Sequence, residues 1–344
     1  MRLAFVGPLW AGSTTLQRLD AFQQVPGLCI SSLDTRERWN EATVIDRIAH
    51  RVRRPIDWHD VNRRVIRLAD EFRPDVMLFD NVKVVQPATL RRLKNEYRVV
   101  PVFYTPDNVI ASHNSSRQLE QSWPEWRLVF TTKPFNVADF LSRGVEAVHV
   151  IGNAFDAKVH RPMEPNEVGA DYERYDAVFT GYVEPQRRQS INELAAADIS
   201  VVVYGDARRW GNMHSNVSIR PPAFDCEYAR AMHTGKVALC FLRKINRDTV
   251  TTRSVEIPAM ARAMAAERTD EHDNLFEHAQ EYCGFSTTGE LIAVVRRLVD
   301  DAQLRDRIRF SGRARCLESG YSTVSRAREM VAVMKNTLPA LAIS

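Results

Sequence analysis

The stretch Leu3-Ala-Phe-Val-Gly-Pro-Leu-Trp-Ala-Gly-Ser-Thr14 combines the pattern of a buried strand with a glycine-containing turn and the start of a helix. Its first four residues form a short apolar run, which is typical of a strand covered on both faces. Gly7 and Gly12 permit a tight turn, and residues 13–24 then predict a helix. A strand, a turn and a helix in this order indicate the first unit of a wound α/β domain.

The same alternation continues through the first half of the chain. Further short apolar runs predict strands at 28–31, 75–79, 99–104, 128–131 and 148–151, each too apolar to have a solvated face. The segments between them predict helices at 58–72, 86–95 and 134–143. Residues 1–160 are therefore expected to form a Rossmann-like domain with a parallel sheet.

A second wound domain is predicted after a proline-rich stretch, Arg161-Pro-Met-Glu-Pro165, which has the composition of a linker. Strands are expected at 177–180, 199–204, 237–242 and 263–266, with the clearest helices at 185–196 and 290–299. This domain spans 166–322, helical stretches follow at 302–317 and 323–334, and residues 323–344 are expected to pack back across the domains. Two such domains would face a central cleft at the carboxyl ends of their sheets.

Composition narrows the class of protein. The 344 residues are 44% hydrophobic and 26% charged, with a net charge of +4, which indicates an ordinary globular protein and gives nucleic-acid binding little support. The five cysteines are scattered without metal or redox spacing. Because no apolar run approaches a membrane span, a cytoplasmic protein is expected, with any membrane contact peripheral.

Motifs for tightly held cofactors are missing. The turn at 7–14 has the glycine spacing of a phosphate-binding P-loop, but Gly12 precedes Ser13 where that loop needs a lysine. The chain also lacks G-x-G-x-x-G, which disfavours nicotinamide and flavin enzymes, and Asp-x-Asp, which would hold a divalent metal against a diphosphate. We therefore expect no cofactor and no metal, with cationic side chains neutralising any bound phosphates.

Two segments in the second half carry candidate ligand contacts. In the first, a strand ends at Gly181 and Pro185 opens a helix, so Arg187 and Arg188 lie in its first turn, beside its positive end. This arrangement suits a diphosphate, although a solvated basic helix start is the commoner explanation of an Arg-Arg pair.

The second segment is Arg243-Lys-Ile-Asn-Arg-Asp248-Thr-Val-Thr-Thr-Arg-Ser-Val-Glu256. Thr251 or Thr252 could cap a helix that carries Arg253 and Glu256. Carboxylates accept hydrogen bonds from vicinal hydroxyls, so Asp248 could bind a sugar and Glu256 a ribose. Two ordinary acids that cap or complement the helix explain the spacing about equally well.

Several motifs occur together in an order that resembles the CgeB-like group of GT-B glycosyltransferases. They are Phe179-Thr-Gly181, Tyr204-Gly205-Asp206, residues 236–248, Thr252-Arg-Ser-Val-Glu-Ile-Pro-Ala, Glu267-Arg-Thr-Asp-Glu-His272 with Leu275-Phe276, and Tyr321-Ser322. The resemblance is specific over residues 175–330. Before residue 160 it is generic and depends on Ile151-Gly-Asn-Ala-Phe-Asp156 and His160-Arg-Pro162.

The resemblance implies a retaining GT-B enzyme whose C-terminal domain binds a nucleotide-diphosphate sugar without metal. It places Asp248 and Glu256 at the positions of two donor-binding glutamates. Together with the two segments above, the predicted donor side consists of Gly181, Arg187, Arg188, Tyr204, Gly205, Lys244, Asp248, Thr252, Arg253 and Glu256. The chain departs from the group where Ala261-Arg-Ala263 replaces a Gly-Gly pair. Bulkier residues there would restrict backbone approach to the donor.

The acceptor side is predicted in the N-terminal half. Asp107 and Asn108 follow a strand and lead into a polar loop that contains His113. Asp107 could act as a base or orient the acceptor, and His113 could bond the donor sugar or a phosphate, whereas an acid after proline is more often a turn former. Gly7, Trp10 and Gly12 are assigned to the same side. With Arg187 stabilising the leaving group, Asp107, His113 and Arg187 are the catalytic candidates.

The function predicted from these observations is transfer of a sugar from a nucleotide-diphosphate donor to a glycan, protein or small-molecule acceptor that the sequence does not identify. One alternative is a weakly active or inactive sugar-nucleotide-binding protein on the same fold, which the Ala-Arg-Ala substitution favours. Another is an enzyme that isomerises a nucleotide sugar and needs no separate acceptor.

Overall fold

The computed structural model describes residues 1–36 and 43–337, and the chain forms two compact units. Unit 1 comprises Met1–Gly152 and Thr323–Ser344, and unit 2 comprises Asn153–Ser322. The sequence places the boundary downstream of this division, at the proline-rich stretch. Residues ahead of that stretch already pack in unit 2, since Phe155 is buried in one of its apolar cores. Of the predicted C-terminal element, residues 338–344 lie outside the described residues.

Unit 1 is a parallel sheet with helices. Its strands are β1 (Arg2–Gly7), β2 (Cys29–Asp34), β3 (Val76–Asp80), β4 (Val100–Thr105), β5 (Leu128–Thr131) and β6 (Ala147–Val150). Within the described residues, their order is β2-β1-β3-β4-β5-β6. The helices that precede unit 2 are α1 (Thr14–Gln23), α2 (Val44–Arg51), α3 (Val61–Phe72), α4 (Pro87–Tyr97), α5 (Arg117–Ser122) and α6 (Val137–Ser142).

The central strands of unit 1 are buried on both faces, as their apolar runs predict. In β3, Val76 and Leu78 enter one apolar core, whereas Met77 and Phe79 enter the other. This division follows from the alternation of side chains along a strand. The prediction that every strand is too apolar for a solvated face is wrong for β2, where only Leu33 is buried, and for β6, where no residue is buried. β2 and β6 are the edge strands of this sheet, so each has a neighbouring strand on one side only.

Unit 2 repeats this architecture. Its strands are β7 (Tyr175–Thr180), β8 (Val201–Tyr204), β9 (Val217–Arg220), β10 (Gly235–Cys240), β11 (Ala263–Glu267) and β12 (Cys283–Phe285). They are parallel, in the order β12-β11-β10-β7-β8-β9 across the described part of the chain. The helices are α7 (Pro165–Val168), α8 (Pro185–Ala196), α9 (Ala207–Trp210), α10 (Asp225–Met232), α11 (Arg253–Ala259), α12 (Asp270–Leu275), α13 (Thr288–Asp300) and α14 (Ala302–Glu318).

The sequence did not predict β9 and β12, which are the two edge strands of this sheet. β12 has three residues, too few to show a periodicity, and β9 is half-buried throughout. Both strands are defined by their pairing with a neighbour rather than by a local apolar pattern.

The last helix, α15 (Thr323–Thr337), belongs to unit 1. Its residues Met330 and Met334 are buried in the same apolar core as Leu19 and Phe22 of α1. The sequence predicts that the C-terminal helix packs back on the domains. In the structure, this helix contributes to the core of unit 1.

Candidate functional site

The carboxyl ends of β7 and β10 mark the edge at which the winding of the unit 2 sheet reverses, and this edge is the candidate ligand site. β8 and β9 extend the sheet on one side of β7, and β10 then pairs with its other side. The direction of winding reverses between these two strands, and open parallel sheets form a ligand crevice at such a point. Gly181 follows β7 here, and Phe241 follows β10.

Gly181 allows a close approach of Arg253 at this crevice. A Cβ atom at position 181 would lie 3.3 Å from Nη2 of Arg253 and 3.0 Å from the ring of Phe179. Any side chain at this position would have to displace the guanidinium or the ring. The glycine that the sequence assigns to the donor side is therefore required to seat an arginine.

Arg187 ties the two sides of the crevice together. Its buried guanidinium donates from Nη1 to the carbonyl of Tyr182, at 3.2 Å, and from Nη2 to the carbonyl of Phe241, at 3.4 Å. Burial lowers the pKa of Arg187; Glu184 opposes this shift, and the positive charges of Arg253 and Arg243 add to it. Arg187 thus positions the crevice and contributes positive charge to it.

The arginines at this crevice are only partly paired with nearby carboxylates. Arg187 and Arg243 share Glu184, with Nε atoms 3.8 and 3.5 Å from its carboxylate oxygens. The buried Nε atoms of Arg187, Arg243 and Arg253 have no hydrogen-bond partner in the part of the chain that the structure describes. Cationic groups that are not fully paired favour an anion, because it supplies the missing charge and acceptors.

Two other predicted cations have protein partners. Lys244 forms an ion pair with Glu267, which also accepts the backbone N–H of Leu242 at 3.0 Å. Arg188 donates to the carbonyls of Trp210, at 2.9 Å, and Asn212, at 2.6 Å. These bonds hold the segment that follows α9 against α8, and the predicted phosphate contact of Arg188 remains a prediction.

Asp248 and Thr252 lie between β10 and α11. Asp248 is half-buried and accepts a hydrogen bond from Nδ2 of Asn246, at 2.7 Å. The prediction of a threonine cap is wrong: α11 starts after Thr252, whose side chain makes no capping bond. Ser254 instead accepts the backbone N–H of Thr251, at 3.0 Å, and bonds His272, at 2.7 Å. The loop is therefore held by a buried serine and histidine.

Glu256 projects from α11 into a buried polar cluster. The hydroxyl of Tyr228 donates to its Oε2, at 3.0 Å, and Nε2 of His160 lies 3.8 Å from Oε1. Nδ1 of His160 accepts the backbone N–H of Asp156, at 2.9 Å, so a neutral ring carries its proton on Nε2 and directs it at Glu256. Burial and the charge of Glu256 raise the pKa of Tyr228, which stays a hydrogen-bond donor.

Tyr204 and Gly205 lie where β8 ends. The hydroxyl of Tyr204 is 3.5 Å from Oγ1 of Thr234 and 3.4 Å from Nη1 of Arg220. Thr234 immediately precedes β10, so this hydroxyl points away from the crevice edge. Gly205 donates its N–H to the carbonyl of Arg220, at 2.9 Å, and the indole of Trp210 packs against it.

Ala261, Arg262 and Ala263 lie at the opposite end of the sheet from the crevice. Arg262 is 2% exposed and donates to Glu173, at 2.9 Å, and to the carbonyl of Gly235, the first residue of β10. The expectation that bulk at these positions restricts the donor is wrong, because ligands bind at carboxyl ends and Arg262 packs at the amino end.

In unit 1, the corresponding point lies between β1 and β3. Gly7 ends β1, and a Cβ atom there would lie 2.6 Å from Cγ2 of Thr15. Gly12 adopts a φ of 87°, which favours glycine, and the carbonyl of Trp10 accepts the N–H of Ser13 at 3.0 Å. These three predicted residues form the turn that directs α1 against the sheet.

A buried ion pair at this point was not predicted. Arg18 of α1 holds the carboxylate of Asp80 through two hydrogen bonds of 2.7 and 3.1 Å, and its guanidinium lies 4.3 Å from the ring centroid of Tyr104. Burial alone would lower the pKa of Arg18, but Asp80, Tyr104 and Asp107 raise it. Asp80 directly follows the apolar run of β3, and this position could have marked it as a candidate. No local sequence pattern marks its partner, Arg18.

Asp107, Asn108 and His113 have different surroundings in unit 1. Asp107 accepts Nδ2 of Asn81, at 3.1 Å, and lies near the Arg18–Asp80 pair. Asn108 is buried, and its Oδ1 accepts Nδ2 of Asn136 at 3.0 Å, a bond internal to the unit. His113 is exposed in the single helical turn Ser112–Asn114. The position of Asp107 fits a ligand-facing role better than that of Asn108.

The described residues contain neither a metal-binding cluster nor a membrane-spanning helix. Among residues 1–36 and 43–337, no group of three or more His, Cys, Asp or Glu side chains is arranged to hold a metal ion. In the same residues, no helix has the length and apolarity needed to cross a bilayer.

Comparison with known proteins identifies the fold. HepE from Anabaena, solved with UDP and glucose, matches with a TM-score of 0.65 at 12% identity, over 98% of this chain and 100% of that chain. A glycosyltransferase from Rickettsia africae matches with a TM-score of 0.65 at 11% identity, over 98% of each chain. UDP-GlcNAc 2-epimerase from Neisseria meningitidis, bound to UDP-GlcNAc, matches with a TM-score of 0.57 at 12% identity, over 97% of this chain and 99% of that chain.

The fold of this chain is GT-B, with two Rossmann-like units and a helical C-terminus, as the sequence predicts. Residues 185–332 match a family model described as glycosyl transferase-like, and this range contains the arginines of the unit 2 crevice. No curated protein matches the chain in sequence.

Proposed function

We propose that the chain is a glycosyltransferase of the CgeB-like group that transfers a sugar from a nucleotide-diphosphate donor to a separate acceptor. The observation that carries the proposal is the arginine-lined crevice at the carboxyl ends of β7 and β10. It combines an anion-favouring charge with the edge at which wound sheets bind ligands. It also lies largely within the segment that matches the glycosyl transferase-like family.

The diphosphate would bind against Arg253 and the start of α8. Arg253 lies beside Gly181, and its buried Nε has no hydrogen-bond partner among the described residues. The twelve residues of α8 begin next to Arg187, so the positive end of the helix dipole adds to the arginine charges. Lys244 would contribute to the same field.

The sugar and ribose would bind through the carboxylates. Asp248, in the loop after β10, would accept hydrogen bonds from the donor sugar, and Glu256 would accept them from the ribose. The buried bonds of Glu256 to Tyr228 and its contact with His160 support a fixed orientation of this carboxylate.

Catalysis would depend on position and charge rather than on a cofactor or a metal. The arginines stabilise the negative charge that develops on the leaving diphosphate. In a retaining reaction, the acceptor hydroxyl attacks the anomeric carbon on the face that the diphosphate leaves, and its proton passes to the departing phosphate oxygen. Asp107 would act as a base or orient the hydroxyl of the acceptor, which the sequence does not identify, and His113 would bond the donor sugar or a phosphate oxygen.

The proposal is tested by calorimetric titration with UDP, the nucleotide bound by HepE, and with GDP, in buffer containing EDTA. We expect one of the diphosphates to bind without metal. Arg253→Gln should weaken binding about ten- to a hundredfold, since it removes charge-assisted hydrogen bonds. Arg307→Gln, an exposed arginine on α14, is the matched control and should leave binding unchanged.

Two results would contradict parts of this proposal. If no nucleoside diphosphate binds, or if Arg253→Gln and Arg307→Gln behave alike, the crevice is not the donor site. Binding that appears only when Mg²⁺ or Mn²⁺ is added back would overturn metal independence. The retaining outcome is checked separately, by the anomeric configuration of the transferred sugar in the NMR spectrum of the product.

A second candidate is an enzyme that epimerises the nucleotide sugar, which the structural similarity to UDP-GlcNAc 2-epimerase favours. Incubation with the donor alone separates the two: an epimerase converts the sugar without an acceptor, whereas a transferase does not. The inactive sugar-nucleotide binder has lost its main support, since Arg262 lies at the amino end of the sheet. Donor binding without transfer or hydrolysis would restore it.

A further inference from the structure

An apolar surface on unit 1 is exposed rather than buried. It consists of Val44, Ile45, Ile48, Val52, Ile56 and Trp58, from α2 and the segment after it, and is called the α2 patch below. Val44 is 70% exposed and Trp58 60%. Soluble proteins seldom leave large apolar side chains together in water, and those that do use them for binding.

The helix α2 has its apolar side turned away from the protein. Val44, Ile48 and Val52 recur at every fourth residue and therefore form one stripe. Ala49 is buried, and Asp46 and His50 are half-buried, so the opposite side faces unit 1. A helix that served the core would show the reverse arrangement.

Positive charge borders the α2 patch. Arg47 and Arg51 are exposed and form the stripe next to the apolar one, and Arg54 is exposed immediately after the helix. An apolar stripe flanked by arginines is the pattern of a helix that lies in the headgroup region of a membrane.

Three acids, Asp46, Asp57 and Asp60, lie in the same segment, and the first two accept hydrogen bonds from neighbouring residues. Asp46 accepts hydrogen bonds from the backbone and hydroxyl of Thr43 and from Nε1 of Trp58, at 2.7 to 2.8 Å. Asp57 accepts the backbone N–H groups of Val61 and Asn62, at 2.7 and 3.0 Å. Asp60 is exposed.

The α2 patch is also held firmly on unit 1. Arg53 forms an ion pair with Glu120 of α5, and its carbonyl accepts the N–H of Arg117 at 2.8 Å. The carbonyl of Pro55 accepts Nε2 of Gln118 at 3.1 Å. The indole N–H of Trp58 donates to Asp46, so the exposed part of the ring is apolar. Tryptophan rings favour the membrane interface.

We propose that the α2 patch docks the protein on an anionic phospholipid surface. The apolar stripe and Trp58 enter the boundary between headgroups and acyl chains, and Arg47, Arg51 and Arg54 contact lipid phosphates. A second copy of the chain is a poorer occupant, because a two-fold contact places each patch against its equivalent and brings the arginines of the two copies together. This inference does not depend on the proposed catalytic activity.

The test is co-sedimentation of the full chain with vesicles of phosphatidylcholine alone and with vesicles containing 30% phosphatidylglycerol. We expect binding to the anionic vesicles that weakens as salt is raised from 50 to 500 mM, and little binding to phosphatidylcholine. The double variant Ile45→Ser with Ile48→Ser should bind about tenfold more weakly or worse. Arg47→Gln with Arg51→Gln should lose about fivefold per arginine.

Matched controls remove equivalent side chains elsewhere. Phe310→Ser with Leu317→Ser deletes two exposed apolar residues of α14, and Arg307→Gln with Arg328→Gln deletes two exposed arginines. Both pairs should bind vesicles like the unchanged protein. The melting temperature of each variant shows whether the fold is retained.

Three outcomes would overturn the proposal. They are absence of binding to anionic vesicles, equal binding by the Ile45→Ser, Ile48→Ser variant and its control, and a dimer in solution that these substitutions convert to a monomer. The last result, measured by light scattering, would assign the α2 patch to a second copy. Loss of nucleotide binding in the Arg253→Gln variant leaves the vesicle result unchanged, so the two proposals fail separately.

Discussion

At the scale of single residues, Glu256 has a carboxylate that is only 6% exposed and is surrounded by polar groups. Burial of such a group is costly unless hydrogen bonds replace those to water. The hydroxyl of Tyr228 supplies one, and Nε2 of His160 approaches the other oxygen. These two contacts leave lone pairs free on the carboxylate, so Glu256 can still accept hydrogen bonds from a ligand.

We predict that Glu256→Gln weakens binding of the nucleoside diphosphate about ten- to a hundredfold, because a charged acceptor is replaced by an amide. Stability should fall as well, by about 1–3 kcal/mol, since the amide NH2 must face either the Tyr228 hydroxyl or the protonated Nε2 of His160. Calorimetric titration and thermal melting measure the two effects.

Tyr228→Phe is the matched control for this prediction. It removes one partner of Glu256 without changing the carboxylate, so it should lower stability by about 1 kcal/mol and change nucleotide affinity much less. If both variants lower the melting temperature and neither changes affinity, Glu256 has a structural role and does not contact the ribose.

At the scale of elements, two buried histidines hold segments of unit 2 together. His233, at the end of α10, donates from Nδ1 to the carbonyl of Ala229, at 2.7 Å, and accepts the N–H of Met163 at Nε2, at 3.0 Å. His272, on α12, bonds Ser254 of α11 at 2.7 Å. His233 accepts through Nε2, so its ring must be neutral for this contact to form.

We predict that stability declines as the pH falls from about 6.5 to 4. Burial lowers the pKa of both His233 and His272 to about 4, whereas both residues titrate near 6.5 when unfolded. Between these values the unfolded chain binds protons that the folded chain does not, so acid favours unfolding, by up to about 3 kcal/mol per histidine.

This dependence is measured by melting the protein at pH 7, 5.5 and 4.5. The variant His233→Gln removes one of the two groups and should show a shallower decline over this range, even if it is less stable at pH 7. A melting temperature that stays constant from pH 7 to 4.5 would mean that neither histidine is kept neutral by the fold.

At the scale of the whole molecule, the chain leaves unit 1 at Gly152 and supplies α15 to it only after unit 2 is complete. Met330 and Met334 of α15 are buried with Leu19 and Phe22 of α1. The core of unit 1 therefore depends on the last helix of the chain, although unit 2 separates it from the rest in sequence.

We predict that Met330→Ala with Met334→Ala destabilises unit 1 selectively, since each truncation of a buried methionine costs about 2–5 kcal/mol. Hydrogen exchange should show faster exchange in α1 and the neighbouring strands of unit 1, with unit 2 amides changed much less. Arg328→Ala, an exposed position on α15, is the control. Equal exchange in the double variant and the control would show that unit 1 does not need α15.

The sequence by itself determined the wound α/β architecture, most strand positions and the helical C-terminus. Apolar runs such as residues 76–79 are local patterns, and their burial on both faces follows from the pattern alone. The edge strand β12 escaped prediction, because three residues carry no periodicity and only pairing with β11 defines them. The sequence also placed Gly181 directly after a predicted strand and Arg187 in the first turn of a predicted helix, where the structure has them.

Only the tertiary structure decided which polar residues meet. It places Arg253 beside Gly181 and engages Arg188 with backbone carbonyls, although the sequence assigned both arginines to phosphate. It moves Arg262 to the amino end of the sheet and turns the apolar side of α2 outward. The physical reason is that residues far apart in sequence approach one another through sheet order and helix packing, and neither property is encoded in the spacing of residues along one segment.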